Sequence, residues 1–209
     1  MNDVDVIRIL CVDDHPLFRD GIATVIAYQK DMQLVGMAAT AKEAIEIYKK
    51  TQPDITLMDL RLPDTSGISA VGAIRMNFPK ARIIMLTTFE GDVEIQRALA
   101  AGACGYLLKS TPREELVEVI RKVNSGRKHL PSEVAENLAE HFGRDVLTER
   151  EVEILERIAE GDRNRDISER LSISELTVKV HIKHIMDKLG AKDRTQAVAI
   201  GIRRGVIHM

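Results

Sequence analysis

ILCVDD at residues 9–14 and DITLMD at residues 54–59 are short apolar runs that end in carboxylates, Asp13 and Asp14 closing the first and Asp59 the second. A third run, GACGYLLK at residues 102–109, ends in Lys109. If these runs are parallel strands of one sheet, their carboxyl ends share an edge, and three acids and a lysine converge where open α/β sheets place ligands. That set suits Mg²⁺ and a phosphoryl group. Mg²⁺ takes hard oxygen ligands in octahedral geometry, usually one or two carboxylates with waters and phosphate oxygens. One carboxylate of the three is then left to act as nucleophile, with Lys109 as a point charge on the phosphate.

Working outward, the first 124 residues alternate apolar runs (7–12, 34–39, 55–58, 82–86, 104–108) with amphipathic segments (16–28, 41–50, 67–77, 92–101, 113–124). Strand and helix in strict alternation predict a five-stranded, doubly wound parallel sheet with helices on both faces, over residues 1–124. Pro16 suits a first helical turn, Pro53 and Pro79 follow helix ends, and Gly102 stands where a helix C-cap is needed. Residues 125–146 are polar and punctuated by Gly126, Pro131 and Gly143. They read as a linker carrying one short helix, 132–142. From 147 to 209 the strand signal is gone, and four helical segments (148–160, 164–171, 175–189, 194–203) predict a small all-α domain.

Composition narrows the function classes. Hydrophobic residues make up 44% of the 209, enough for two small cores, while aromatics are 3% with no Trp, which argues against readers of single strands by base stacking. Cys11 and Cys104 both lie inside apolar runs and read as small buried hydrophobes. No amino-terminal signal pattern occurs and no apolar run approaches the roughly 18 residues of a membrane span, so the expected location is the cytoplasm, with no membrane partner.

Bulk charge does not announce a nucleic-acid partner, because residues 147–209 hold 12 Lys/Arg against 11 Asp/Glu. Its distribution does. Between Glu175 and Lys192 there are four lysines (179, 183, 188, 192) against two acids (175, 187). Wound at about 100° per residue, LTVKVHIKHIMDKL at 176–189 gathers Val178, Ile182, Ile185 and Leu189 into one buried stripe. Opposite lie Val180, Lys183 and Asp187, flanked by Lys179 and His184. A valine among lysines suits a DNA major groove, where an apolar side chain meets a thymine methyl and lysines reach guanine edges or phosphates. The helix at 164–171, the tight Ser172–Ile173 connection and the Ser174/Glu175 start have the helix-turn-helix layout. Ser174 and Thr177 offer capping hydroxyls at an exposed N-terminus that also suits phosphate.

These stretches resemble a known family along nearly the whole chain. ILCVDDH, LMDLRLPDTSG, IIMLTTFE and GACGYLLK are similar to a receiver domain, and LTERE, AEGDRNRDISERLSIS and TVKVHIKHIMDKLGAKDRTQA to a LuxR-type helix-turn-helix. In that order they resemble a NarL/FixJ-family two-component response regulator. The resemblance implies a flavodoxin-like receiver, with Asp59 as phosphoacceptor, and Asp13, Asp14, Asp59 and the Arg61 carbonyl as Mg²⁺ ligands. It implies Thr87 as the hydroxyl that moves to the phosphate, Tyr106 as the switch aromatic and Lys109 as the phosphate-contacting lysine. On the DNA side it implies base contacts from Lys179, Val180 and Lys183, with Thr177, His181, His184 and Lys188 as further candidates. Two positions depart from the family pattern: Ser110 stands where many receivers have proline, and Leu176 where glycine is frequent.

The function so implied is a transcriptional regulator that takes a phosphoryl group from a sensor histidine kinase, or a small phosphodonor, onto Asp59. Thr87 moves toward the phosphate, Tyr106 turns inward, the surface of the last two strand-helix units changes, and a homodimer binds double-stranded promoter DNA. Two rivals stand beside it. An aspartyl-phosphate phosphatase or phosphotransferase would place a second Asp two residues after the nucleophile, where this chain has Arg61, so no enzyme activity is expected beyond Mg²⁺-dependent self-phosphorylation and autodephosphorylation. An interaction or DNA-binding protein that works without phosphorylation stays open.

Overall fold

The computed structural model describes residues 6–88, 91–132, 135 and 147–207. The chain folds into two compact units. In the first, five strands, β1 (Ile7–Val12), β2 (Met32–Ala38), β3 (Ile55–Asp59), β4 (Ile83–Thr87) and β5 (Gly105–Leu108), form one parallel sheet in the order β2-β1-β3-β4-β5. They alternate with α1 (Pro16–Ala27), α2 (Ala41–Thr51), α3 (Gly67–Asn77), α4 (Asp92–Ala100) and α5 (Arg113–Asn124). Every residue of β3 and β4 is buried, as expected of central parallel strands covered on both faces, and this is why they read as unbroken apolar runs. One core layer packs Ile9, Cys11, Leu57, Ile84 and Leu107 of the sheet against Ile22 and Ile26 of α1 and Val117 and Ile120 of α5.

The strand order turns outward in both directions from β1 and β3. The crevice at their carboxyl ends is therefore the switch point of the sheet. Helix starts there are fixed locally: Pro16 opens α1, the Thr40 hydroxyl accepts from the Glu43 N–H at 3.1 Å to cap α2, and Ser66 accepts from the Ile68 N–H at 3.2 Å to cap α3.

The stretch after α5 behaves differently from a solvated linker. His129 bridges in parallel to Gly105, its N–H donating to the Cys104 carbonyl and its carbonyl accepting from Tyr106, both at 3.1 Å. β5 is the sheet's edge, and these bonds satisfy backbone groups that would otherwise face water. The predicted linker helix at 132–142 lies almost wholly outside the described residues.

The second unit contains α6 (Glu149–Ala159), α7 (Asn164–Leu171), α8 (Glu175–Leu189) and α9 (Arg194–Arg203). Thr148 and Glu151 form a reciprocal capping box at the start of α6. Ser172 adopts φ 52° between α7 and α8, and Gly190, with φ 65°, ends α8 in the left-handed region that glycine tolerates. Ile154, Leu155, Ile167, Val178, Ile185 and Ile207 form the core. Among the described residues, no helix is long and apolar enough to cross a membrane.

Candidate functional sites

The β1–β3 register pairs Val12 with Met58, so the next residues on each strand, Asp13 and Asp59, emerge side by side at the carboxyl edge. Thr87 pairs with Leu108, and the Lys109 N–H donates to the Thr87 carbonyl at 2.7 Å, which brings the lysine to the same edge. Lys109 Nζ lies 2.9 Å from Asp59 Oδ2 and 2.7 Å from Asp13 Oδ2. It also sits 4.9 Å from the centre of the Phe18 ring on α1, a cation–π contact. Asp13, Asp59 and Thr87 are buried while Asp14 is exposed, so the site is a crevice with one open side.

Burial pushes the Asp59 carboxyl above the usual carboxylate range; the hydrogen bond from Lys109 opposes that shift and the Asp13 charge adds to it. For Lys109, burial pulls the ammonium down but is outweighed by its bonds to Asp13 and Asp59, so the group is held charged. Cys11 beneath the site is pushed up to about 12 by burial and is an inert thiol.

Asp13, Asp14, His15 and Asp59 bring potential ligand atoms within 4.8 Å of one another. The three carboxylates fit a hard divalent cation, and two buried acids against one ammonium leave negative charge for it to offset. Imidazole suits softer metals. His15 serves the acids instead: its Nδ1 is 2.6 Å from Asp14 Oδ1 and 3.2 Å from Asp13 Oδ1, and its N–H donates to Asp13 Oδ1 at 2.9 Å. The Arg61 N–H approaches Asp59 Oδ1 at 3.4 Å, so the backbone of the β3–α3 loop lies over the carboxylate. Tyr106, expected to turn inward on phosphorylation, is wholly buried.

On α8 the buried stripe holds Val178, Ile185 and Leu189, with Ile182 half-buried. Lys179, Val180, Lys183 and His184 are exposed, and Val180 is 46% accessible. Ser174 caps the helix, its Oγ accepting from the Thr177 N–H at 3.1 Å and pairing with the Thr177 hydroxyl at 2.8 Å. His181 is half-buried with Nδ1 turned inward. Lys188 has a partner within the helical unit. Its Nζ is 2.7 Å from Oε2 of the buried Glu151, so the ammonium that was a candidate for DNA phosphate is engaged inside the domain.

Residues 9–121, more than half of the chain, match the response regulator receiver domain, and residues 145–200 match the bacterial regulatory proteins of the luxR family. This chain belongs to the response regulator family. The response regulator is 41% identical to the uncharacterized transcriptional regulatory protein YxjL of Bacillus subtilis strain 168, over 98% of this chain and 99% of that one. It is 37% identical to the response regulator protein VraR of Staphylococcus aureus, over 97% of this chain and 99% of VraR. Among solved structures, the response regulator ChrA of a heme-sensing two-component system is similar at 33% identity and TM-score 0.58, covering 97% of this chain and 100% of ChrA. The response regulator is therefore a DNA-binding transcriptional regulator built from a receiver and a LuxR-type domain, and not a typical enzyme.

Three residues that position the response regulator's acidic site escape a reading of the sequence. His15 follows the acid pair and is the clearest, since its adjacency could have suggested it. Asp64 accepts from the Ala41 and Lys42 N–H groups at 2.9 and 3.0 Å, and so pins the β3–α3 loop to the start of α2. Those bonds hold its carboxyl below the usual range. Gly67 has a more drastic role: a Cβ there would stand 1.9 Å from the Asp59 carbonyl oxygen, so only glycine lets α3 begin this close to the site.

Proposed function

We propose that this response regulator is switched by phosphorylation of Asp59, with a sensor histidine kinase as the donor and promoter DNA as the target. The observation that carries the reading is Lys109, whose ammonium stands between Asp59 and Asp13 at the switch point of the sheet. In the step proposed, an Asp59 carboxylate oxygen attacks the phosphorus of a phosphohistidine; the new O–P bond forms as the N–P bond breaks and the imidazole leaves. Mg²⁺, when bound, neutralises charge on the phosphoryl oxygens.

Asp13, Asp14, Asp59 and the Arg61 carbonyl would hold that ion. Their fit rests on three hard carboxylates clustered at one crevice. Lys109 would exchange its Asp59 contact for a phosphate oxygen, and Thr87 would donate its hydroxyl to another. Tyr106 would turn inward to fill the space that Thr87 vacates. The same site supports self-phosphorylation from a small donor and slow autodephosphorylation.

On the DNA side we assign base contacts to Lys179, Val180 and Lys183, and flanking contacts to Thr177, His181 and His184. One short recognition helix reads few base pairs, so a homodimer on two half-sites is the expected bound form, in the cytoplasm. Incubation with labelled acetyl phosphate and Mg²⁺ tests the phosphorylation step. Wild type should take up label and Asp59→Asn should take up none. Equal labelling of both would refute Asp59 as acceptor, and no labelling of either, by acetyl phosphate or by any kinase, would favour a regulator that works without phosphorylation.

A further inference from the structure

Leu176 is 72% exposed at the second position of α8, and Val180, one turn further on, is 46% exposed. A single exposed leucine is ordinary. This one is aligned. At about 100° per residue, Leu176, Val180 and Lys183 fall within about 60° of one another, centred opposite Val178, Ile185 and Leu189. Lys179 and Lys183 border the apolar pair on one side and are themselves exposed, and the exposed His184 lies on the other. The face is thus a short apolar ridge with two cations along one side, at the N-terminal end of the helix, where helix-turn-helix proteins make base contacts.

Water is a poor partner for such a ridge and a protein core is a poor partner for its lysines. A major groove satisfies both, because thymine methyl groups project into it between phosphate walls. We propose that Leu176 is a specificity-determining residue that meets a thymine methyl group, separate from the one met by Val180. Four residues of helix advance about 6 Å against about 3.4 Å per base pair, which sets the two thymines about two base pairs apart. This rests on the reading of α8 as the DNA-contacting helix.

The test uses the full chain and a duplex it selects from a randomised pool. Each thymine of that duplex is replaced in turn by deoxyuridine, which keeps the hydrogen-bonding edge and lacks the methyl. For wild type, one replacement beyond the Val180 position should weaken binding by about three- to five-fold, the worth of one buried methyl. Leu176→Ala should bind the thymine duplex more weakly by a similar factor and be indifferent to that replacement, while Leu176→Met should keep part of the sensitivity. A matching thermal melt for Leu176→Ala would confirm that its fold is intact.

Identical deoxyuridine profiles for wild type and Leu176→Ala would overturn the proposal, as would a selected duplex with no such thymine. Lys183→Ala separates the two levels. If it weakens binding while the profiles coincide, only the role of Leu176 fails; if it too has no effect, the assignment of α8 fails. Should Leu176→Ala spare DNA binding and change the association state of the chain, the ridge belongs to a protein contact and the proposal is wrong.

Discussion

Lys188→Ala should loosen the helical unit rather than remove a DNA contact. Lys188 Nζ is 2.7 Å from Glu151 Oε2, with the side chains 21% and 4% exposed. The same oxygen accepts the Thr148 N–H at 2.8 Å and its hydroxyl at 3.0 Å, so the carboxylate keeps two donors and loses its cation. Breaking a buried pair by removing one partner costs about 3–5 kcal/mol. With the Thr148 donors retained and Lys188 in partial reach of water, the expected loss is about 2–3 kcal/mol. That multiplies the population of locally opened molecules by about 30- to 150-fold.

Native-state hydrogen exchange of the full chain, read at the amides of α6 and α8, measures this directly. The pH dependence has a definite sign. Burial pushes the Glu151 carboxyl up, but the bonds from Lys188 and Thr148 outweigh it and hold the group below the usual range. A depressed folded value gives stability that is present above the unfolded glutamate value of about 4.3 and is lost as pH falls through the folded one. Protection in α8 should therefore fall in the acid range below about pH 4, and less so in Lys188→Ala. Unchanged exchange, together with weaker DNA binding and a shallower salt dependence, would show that Lys188 meets phosphate after all and refute the buried-pair argument.

Further expectations follow from the acidic site and from α8. Asp13→Asn and Asp14→Asn should each weaken Mg²⁺ binding, measured by calorimetric titration, and slow labelling, because each removes a ligand or the group that orients one; wild-type affinity in the double variant would contradict the site. Gly67→Ala should destabilise the receiver by about 3 kcal/mol or more in a denaturant titration, because its Cβ would overlap the Asp59 carbonyl oxygen at 1.9 Å. Val180→Ala should cost about 1 kcal/mol of discrimination at one thymine position, read by competition binding, while Val178→Ala, in the core, should lower stability instead.

Much of this was legible in the order of residues because burial imposes it. β3 and β4 are covered on both faces, so ITLMD and IIMLT had to be apolar throughout, and the acids could only follow at the end of β3 and beyond β1. The period of α8 likewise told its inner side from its outer side. What escaped depends on contacts between distant positions. Lys188 lies 37 residues from Glu151, and nothing in the helical period shows that a lysine on the flank of an exposed face reaches back to a buried acid. Asp64 caps α2 from 23 residues away. His129 falls in the stretch that reads as linker, because a single residue pairing with an edge strand needs no apolar run to announce it.

DNA affinity of the full chain with and without a phosphoryl group on Asp59 decides whether the receiver controls the helix-turn-helix. Fluorescence anisotropy against the selected duplex, with Mg²⁺ present and beryllofluoride as the phosphoryl analogue, gives the comparison. Wild type should bind more tightly with the analogue and Asp59→Asn should not respond to it. Equal affinity of wild type in the two states, with Mg²⁺ and analogue shown to be bound, would contradict phosphorylation control.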